Sequence, residues 1–237
     1  MIPVPSVSEP LAPGLRIPEV VPIPSGRLPI RDGERRTPRA LAIESFFLGR
    51  TPVTNLEYAA CVESGTVPAP PWSRHPDFTR PRQPVVGVTW DEASAYCAWL
   101  GERAGGRWRL PREAEWEFAM CGGLESPATA WGGRVPGGEV PEGTLTGPWD
   151  TGLGTPNGYG VLDPGTVVHE WCAEWRDWRD GRELESAPGG PRRRASRGGS
   201  WRHRVRWSSP SARSSLPPDY RYSDYGFRVL RERDLDG

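Results

Sequence analysis

The sequence predicts an α+β domain, rich in loops, with few short helices and strands. Three observations carry this expectation. The chain holds 29 Gly and 28 Pro in 237 residues, close to a quarter of the total, which favours loops over a helical bundle. Twelve tryptophans supply bulk for a core that is short of aliphatic side chains. The amphipathic segments are short, and two of the helical ones are bracketed by a capping residue and a glycine. The length suits one domain with elaborations or two small ones, and it allows a core without disulfide staples.

The elements follow in chain order. Residues 1–19 form a Pro-rich extension, expected to be extended and to lie on the domain as a strap. Residues 20–237 form the domain itself. "ALAIESFFLGR", Ala40 to Arg50, is apolar with partial alternation and reads as one strand. In "TPVTNLEYAACVESG", Thr54 and Glu57 make a capping box, Leu56, Ala59 and Ala60 form the inward stripe, and Gly65 is the stop. In "TWDEASAYCAWLGERAGG" the device repeats: Thr89 caps, Glu92 reaches back, and Ala93, Tyr96, Cys97 and Leu100 share one face up to Gly105. "RLPREAEWEFAM" predicts a third helix, with Pro111 in its first turn and Trp116, with Ala119 or Met120, facing inward. From Cys121 to Asn157 Gly and Pro dominate and no element is assigned; so long an unstructured stretch in a compact domain signals function or tight anchoring. "PGGPRRRAS", Pro188 to Ser196, reads as a solvated basic turn.

Charge is balanced, 30 basic against 30 acidic, and every base is Arg. That removes any electrostatic case for general nucleic-acid or membrane binding. The cysteines, Cys61, Cys97, Cys121 and Cys172, form no CxxC pair, and the only histidines are His75, His169 and His203. A zinc site by spacing is therefore unsupported, and Cys61 and Cys97 read as buried thiols in helical patterns. No basic-then-apolar leader and no long apolar run occurs, so the expectation is a soluble, cytoplasmic protein without a membrane segment.

Four segments, in order, carry a resemblance. "RTPVTNLEYAACV", "PVVGVTWDEASAYCAWLGERAGGRWRLPREAEWEFA", "NGYGVLDPGTVVHEWCAEW" and "RGGSW…GFRV" are similar to the formylglycine-generating, or sulfatase-modifying-factor, domains. The match runs from about Val20 to Leu230. It implies a variant of the C-type lectin fold, mixed α/β with little regular structure. In the active oxidases of that family two cysteines, three and eight residues beyond the Ser of "RGGS", bind copper and attack the substrate cysteine. Those positions here are His203 and Ser208, and no cysteine follows Cys172. The thiolate is both soft metal ligand and nucleophile, so the resemblance implies a domain without formylglycine-generating activity. The related iron-dependent sulfoxide synthases take three histidines from an added helical domain, so with three histidines in all and no such segment read here, non-haem iron catalysis is not expected.

The resemblance also implies a calcium site. Within "NGYGVLDPGTVVHEW" it would use Asp163, the carbonyls of Thr166 and Val168, and Glu170, hard oxygen donors at a spacing that suits Ca²⁺. Where the family has "GN" this chain has "TV". The alternative is that Asp163 caps a turn and Glu170 forms an ion pair. The family's other calcium site falls between Trp131 and Asn157, where this chain is shortened, and is not carried over.

The segment from Arg197 to Arg228 is similar to the variable region of proteins encoded by diversity-generating retroelements, a binding branch of the same fold. There a C-terminal region is rewritten at adenines, on a template resembling "RGGSWNNNPxNxRSAxRNNNNPDNRNNNxGFR". Template Asn positions then fall on Arg202, His203, Arg204, Ser214, Ser215, Leu216, Pro217, Tyr220, Tyr222, Ser223 and Asp224; Tyr225, at the template's x, is added to the candidate set. An AAC codon mutated at its adenines becomes NNC, which cannot encode Trp, Glu, Gln, Lys or Met, and none of these stands at those positions; Trp207, which would break the rule if it came from an Asn codon, is either outside the set or a counterexample. Tyr, Ser, Arg and His are typical of adaptable paratopes, with Tyr220, Tyr222, Tyr225 and Arg202 as hot-spot candidates. "RGGSW" and "GFRV" are read as scaffold: Gly198 and Gly199 for close backbone approach, Trp201 and Phe227 as core anchors, and Arg228 as a tie for loop carbonyls. The expected function is non-catalytic binding of a protein or surface ligand. The alternatives are a degenerate family domain with a fixed partner, or an enzyme in which His203 with Arg202, Arg204 and Arg206 holds an anionic substrate.

Overall fold

The two capping boxes form as expected and set where two of the three helices begin. A computed structural model describes residues 14–30, 39–125, 127, 129–130, 146–179, 182–184, 192–204 and 208–233. Helix α1 spans Asn55–Glu63; the Thr54 hydroxyl accepts from Glu57 N, and the Glu57 carboxylate accepts from Thr54 N at 2.8 Å. Its inward residues are Tyr58 and Cys61, whereas Leu56 is 46% exposed. The expected stripe is thus rotated, because Tyr58 stacks on Tyr96 of the next helix at 5.4 Å between ring centroids, and that ring pair outweighs the smaller Leu–Ala face.

Helix α2, Trp90–Ala104, begins at Thr89 with the same reciprocal cap, and Ala93, Tyr96, Cys97 and Leu100 are all buried as the pattern predicts. Gly105, at φ 73°, ends it in a conformation that disfavours a side chain. Helix α3, Glu113–Cys121, starts one step later than expected: Arg112 is the cap and Pro111 lies outside the helix. The Glu174 carboxylate accepts from Glu113 N at its open end. Trp116, Ala119 and Met120 all face the core.

Among the described residues the strands form three sheets. β1 (Val20–Ile23), β4 (Phe46–Gly49), β11 (Leu230–Glu232) and β5 (Trp108–Arg109) pair in that order, all antiparallel. β2 (Gly26–Ile30) and β3 (Arg39–Ile43) make a separate antiparallel pair. The third sheet runs β10 (Tyr225–Phe227), β6 (His169–Arg179), β8 (Arg193–Arg197), β9 (Arg213–Leu216), with β7 (Arg182–Leu184) also on β6. There β10 is parallel to β6, and the register shifts between Trp171 and Trp175 of β6.

Two strand expectations are corrected. The single strand over Ala40 to Arg50 is two, β3 and β4, because each half pairs in a different sheet and the chain must turn at Glu44 and Ser45. The basic turn ends in strand β8: Arg194 lies between the rings of Trp90 and Trp175 at 3.4 and 3.5 Å, so aromatic faces take up the charge that looked solvated. Residues 188–191 of that turn, residues 1–13 of the Pro-rich extension and residues 126, 128 and 131–145 of the Gly/Pro-rich stretch lie outside the described residues. Trp99, Trp108, Trp116, Trp149, Trp171 and Trp201 are buried, as a core short of aliphatics requires.

Candidate binding site

The segment after β8 is positioned by backbone packing. Gly198 has φ 79°, and a Cβ placed there would stand 2.8 Å from the Cα of Gly165. Only glycine lets these two loops touch. Gly199 N then donates to Gly165 O and Trp201 N to Val167 O, at 2.8 and 2.9 Å. Trp201 is buried against Phe78, and its indole N–H donates to Ser223 O at 3.1 Å. So the first scaffold clamp, "RGGSW", is tied through Trp201 to Ser223, just before the second clamp, "GFRV".

Arg228 closes the second clamp. Its side chain is fully buried. It donates to the carbonyls of Gly49, Arg50, Leu162 and Asp163, and through Nε and Nη2 to both oxygens of Glu170 at 3.0 Å. Trp116 Nε1 also donates to Glu170, at 2.7 Å. The expected tie for loop carbonyls is present, and it joins β4, the 162–163 turn, β6 and α3 in one network.

Between the clamps the twelve candidate residues divide. Arg202, His203, Arg204, Tyr220 and Tyr222 are exposed, and Ser214, Leu216 and Pro217 are half-buried. Ser215, Ser223, Asp224 and Tyr225 are buried, at 7–9% exposure, which corrects their reading as displayed residues. The reasons are local. Alternation along β9 turns Ser215 inward, and Tyr225 opens β10 against His169 of β6. Asp224 accepts from Ser200 Oγ at 3.1 Å and pairs with Arg202 at 3.6 Å, while Ser223 Oγ accepts from Arg202 at 2.6 Å. These two residues therefore hold Arg202 in place from beneath. Residues 205–207, with Arg206 and Trp207, lie outside the described residues.

Three of the exposed residues belong to a row of rings. Tyr220, Tyr222, Tyr225, His169 and His203 follow one another at centroid spacings of 6.0, 5.9, 4.7 and 5.2 Å. His169 was no sequence candidate, and only its place just before Glu170 marked it. Its Nδ1–H donates to Gly198 O at 2.8 Å, and burial pushes its pKa below the usual imidazole range, against the opposing pull of Asp224. His203 caps the turn it ends: its Nδ1 accepts from Ser200 N at 3.3 Å. Arg221 fixes the tyrosine loop to α2 by pairing with Glu92 and donating to Gly87 O at 2.9 Å. The result is a rigid base carrying Arg, His and Tyr side chains on one face.

The two positions that align with the oxidase cysteines are unlike each other. His203 is exposed, while Ser208 is 1% exposed with no partner for its hydroxyl. All four cysteines are buried and unpaired. Burial pushes the Cys61 and Cys121 thiols up to about 11, and Cys97 and Cys172 higher still, so none is disposed to form a thiolate.

At the calcium candidates, Glu170 is committed to Arg228 and Trp116, so a guanidinium already answers its charge. The Asp163 Oδ2 accepts from Gly152 N at 2.6 Å. Asp163 Oδ1 and Thr166 Oγ1 are buried without a hydrogen-bond partner. Burial raises the Asp163 pKa to about 7, although Gly152 N–H and Arg228 oppose this. Oxygen donors thus remain at Asp163 and Thr166 but not, unshared, at Glu170: the fit to a cation is partial. Among the described residues no cluster of three His, Cys, Asp or Glu is placed to hold a metal.

Comparison with known proteins agrees with this architecture. The formylglycine-generating enzyme of Streptomyces coelicolor is 36% identical over 183 residues, 66% of this chain and 55% of that protein. A mouse protein named inactive Cα-formylglycine-generating enzyme 2 is 34% identical over 166 residues, 61% of this chain and 48% of that protein. The chain spans little more than half the length of the first bacterial relatives it matches. Among solved structures, PvdO from Pseudomonas aeruginosa superposes with a TM-score of 0.73 at 24% identity, over 91% of this chain and 95% of that one. The Treponema denticola variable protein 1 superposes with a TM-score of 0.68 at 22% identity, over 90% and 95%. These superpositions show the shared C-type-lectin-type α+β fold. The family profile described as the sulfatase-modifying factor enzyme 1-like domain matches residues 7–233, and the chain belongs to that family.

Proposed function

We propose that this domain is a non-catalytic ligand binder whose C-terminal segment presents Arg202, His203, Arg204, Tyr220 and Tyr222 from a fixed scaffold. One observation carries the reading: of the twelve candidate residues in this segment, the buried ones brace the scaffold and each other, while the exposed ones are Arg, His and Tyr. Such side chains give amphipathic contact area on few torsions. The buried, high-pKa thiols and the lack of Cys at positions 203 and 208 speak against thiol-based oxidation. The resemblance of the segment to an adenine-mutated template suggests that the display is diversified. On this reading the ligand is a protein or another surface, and the contact set is narrower than the twelve template positions.

Sequencing the gene's neighbourhood tests this. The expected result is a near-copy of the region coding residues 201–225, rich in AAC, beside a reverse-transcriptase gene and differing only at adenines. Its absence would remove the diversified reading and leave a fixed binding face, as in a degenerate family domain. Incubation with copper and a cysteine-containing peptide is expected to yield no formylglycine; turnover would overturn the non-catalytic reading.

A further inference from the structure

The exposed Arg, His and Tyr residues border a second surface feature that the C-terminal segment does not build. A cleft of about 270 Å³ lies between α1 and the loop carrying Trp72 and Phe78, with Ala59, Val62, Pro70, Trp72 and Phe78 among its walls. Ala59, Val62, Pro70 and Trp72 are each half-buried, so apolar surface stays open to solvent there. Trp72 rests on the backbone of Gly87, where its ring leaves no room for a Cβ, and Gly87, at φ 75°, takes a conformation that favours glycine. Phe78 is fixed from behind by Trp201. The walls are therefore held by the core, and none of them belongs to the Arg197–Arg228 segment.

The cleft and the Arg202–Tyr222 face are continuous along two lines. Trp72 lies 6.1 Å from Phe78, Phe78 lies 6.2 Å from Trp201, and the Arg202 guanidinium stands 4.5 Å over the Trp201 ring. At about 3.3 Å per residue, an extended segment of about five residues covers that path. On the other side Gly87, beneath Trp72, donates its N–H to Tyr225 O and accepts from Arg221 Nη1. The tyrosine loop thus leans on the same backbone that carries the Trp72 ring.

The two parts differ in chemistry. In a chain with 30 arginines, Glu63 is the one charged residue among the described residues that line the cleft, which favours an uncharged, apolar group. An apolar cavity of about 150 Å³ already accepts a benzene ring, so this volume holds a Leu, Phe or Trp side chain. At the rim, the Arg202 side chain is 52% exposed. Its guanidinium carries several donors, and Ser223 and Asp224 engage it from beneath, so its outer edge can meet a carboxylate. An apolar anchor in a rigid pocket beside a charged rim is the anatomy of a binding hot spot.

We propose that the binding face extends onto this cleft, and that its partner is a protein segment that seats an apolar side chain between α1 and Trp72 and sets a carboxylate, about five residues away, against Arg202. This rests on the reading of the C-terminal segment as a binding face.

The test selects peptides from a random phage-displayed dodecapeptide library on the immobilised whole chain, then follows an enriched, fluorescein-labelled peptide by polarisation. The expected consensus is a Leu, Phe or Trp with an Asp or Glu about five residues away. Ala59→Phe, which fills the cleft, Val62→Arg, which charges it, and Arg202→Gln should each weaken binding at least about tenfold. Arg27→Gln, on β2, should change nothing. Circular dichroism and a thermal melt establish that each variant folds. Peptides that lose binding in Arg202→Gln and Tyr220→Ala but keep it in both cleft variants would overturn the proposal and leave the binding face standing. Peptides that lose binding in the cleft variants alone would make the cleft a separate site and overturn it as well. So would the absence of any enriched apolar–acidic pattern, whereas the gene neighbourhood and the copper incubation decide the reading of the face independently.

Discussion

Replacing Arg228 by Met should be among the most damaging single changes in this chain. Arg228 donates to four backbone carbonyls and both oxygens of Glu170, and both side chains are fully buried. Met keeps the aliphatic bulk, so the change tests the guanidinium and not the packing. Breaking a buried ion pair from one side costs about 3–5 kcal/mol, because the partner charge stays buried. Each carbonyl left without a donor adds a further ~1 kcal/mol or more where water cannot enter. Counting the ion pair and a single orphaned carbonyl, the loss is at least about 4 kcal/mol, a large share of a typical domain's 5–15 kcal/mol. Tryptophan fluorescence during urea titration reads it out, as a lower midpoint at unchanged slope. In the double variant Glu170→Gln with Arg228→Met the uncompensated carboxylate is gone. It should recover at least about 1 kcal/mol relative to the sum of the single variants. A loss below about 1 kcal/mol in Arg228→Met, or strict additivity, would refute the view that this pair ties β4, the 162–163 turn and β6 together.

Two further predictions follow from the same structure. Asp163 has its folded pKa raised to about 7 by burial, above the ordinary carboxylate value of an unfolded chain. The folded state thus holds the proton more tightly, and that contribution is complete below about pH 4 and is lost as pH rises toward 7. Asp163→Asn should therefore gain stability relative to wild type across that window, with the difference levelling off near pH 8 in calcium-free buffer. If Asp163 and Thr166 hold Ca²⁺, adding the ion at pH 8 should raise the wild-type Tm and leave Asp163→Asn unmoved. The second prediction concerns the division within the 202–225 segment. Tyr220→Ala and Tyr222→Ala, at positions 45% and 44% exposed, should shift stability by no more than about 0.5 kcal/mol. Tyr225→Ala should cost about 3 kcal/mol or more, because its ring packs on Trp171 and His169 and its hydroxyl meets Ser214. Thermal melts of the three variants decide this, and equal losses would erase the distinction between display and scaffold.

Much of the fold was legible because its signals are local. A Thr–x–x–Glu box needs only four residues to act, and both boxes form where the letters place them. The face of α2 was readable because a long helix averages over its neighbours. The face of α1 was not, because one stacked ring from α2 rotated it. The strand over residues 40–50 misled because β-pairing depends on partners far along the chain. The basic stretch before Ser196 misled for a similar reason: Trp90 and Trp175, which receive Arg194, are distant in sequence and carry no mark of that role.

The site divides in the same way. From sequence alone came the family motifs in order, the positions 203 and 208 without cysteine, the two clamps, and the expectation that Arg228 binds loop carbonyls. Those are matters of residue type and short spacing. Only the tertiary structure decided that Ser215, Ser223, Asp224 and Tyr225 serve the scaffold, that His169 joins the ring row, and that Glu170 answers Arg228. Exposure and partnership depend on which distant segment arrives opposite a side chain, and that is fixed by packing of the whole domain.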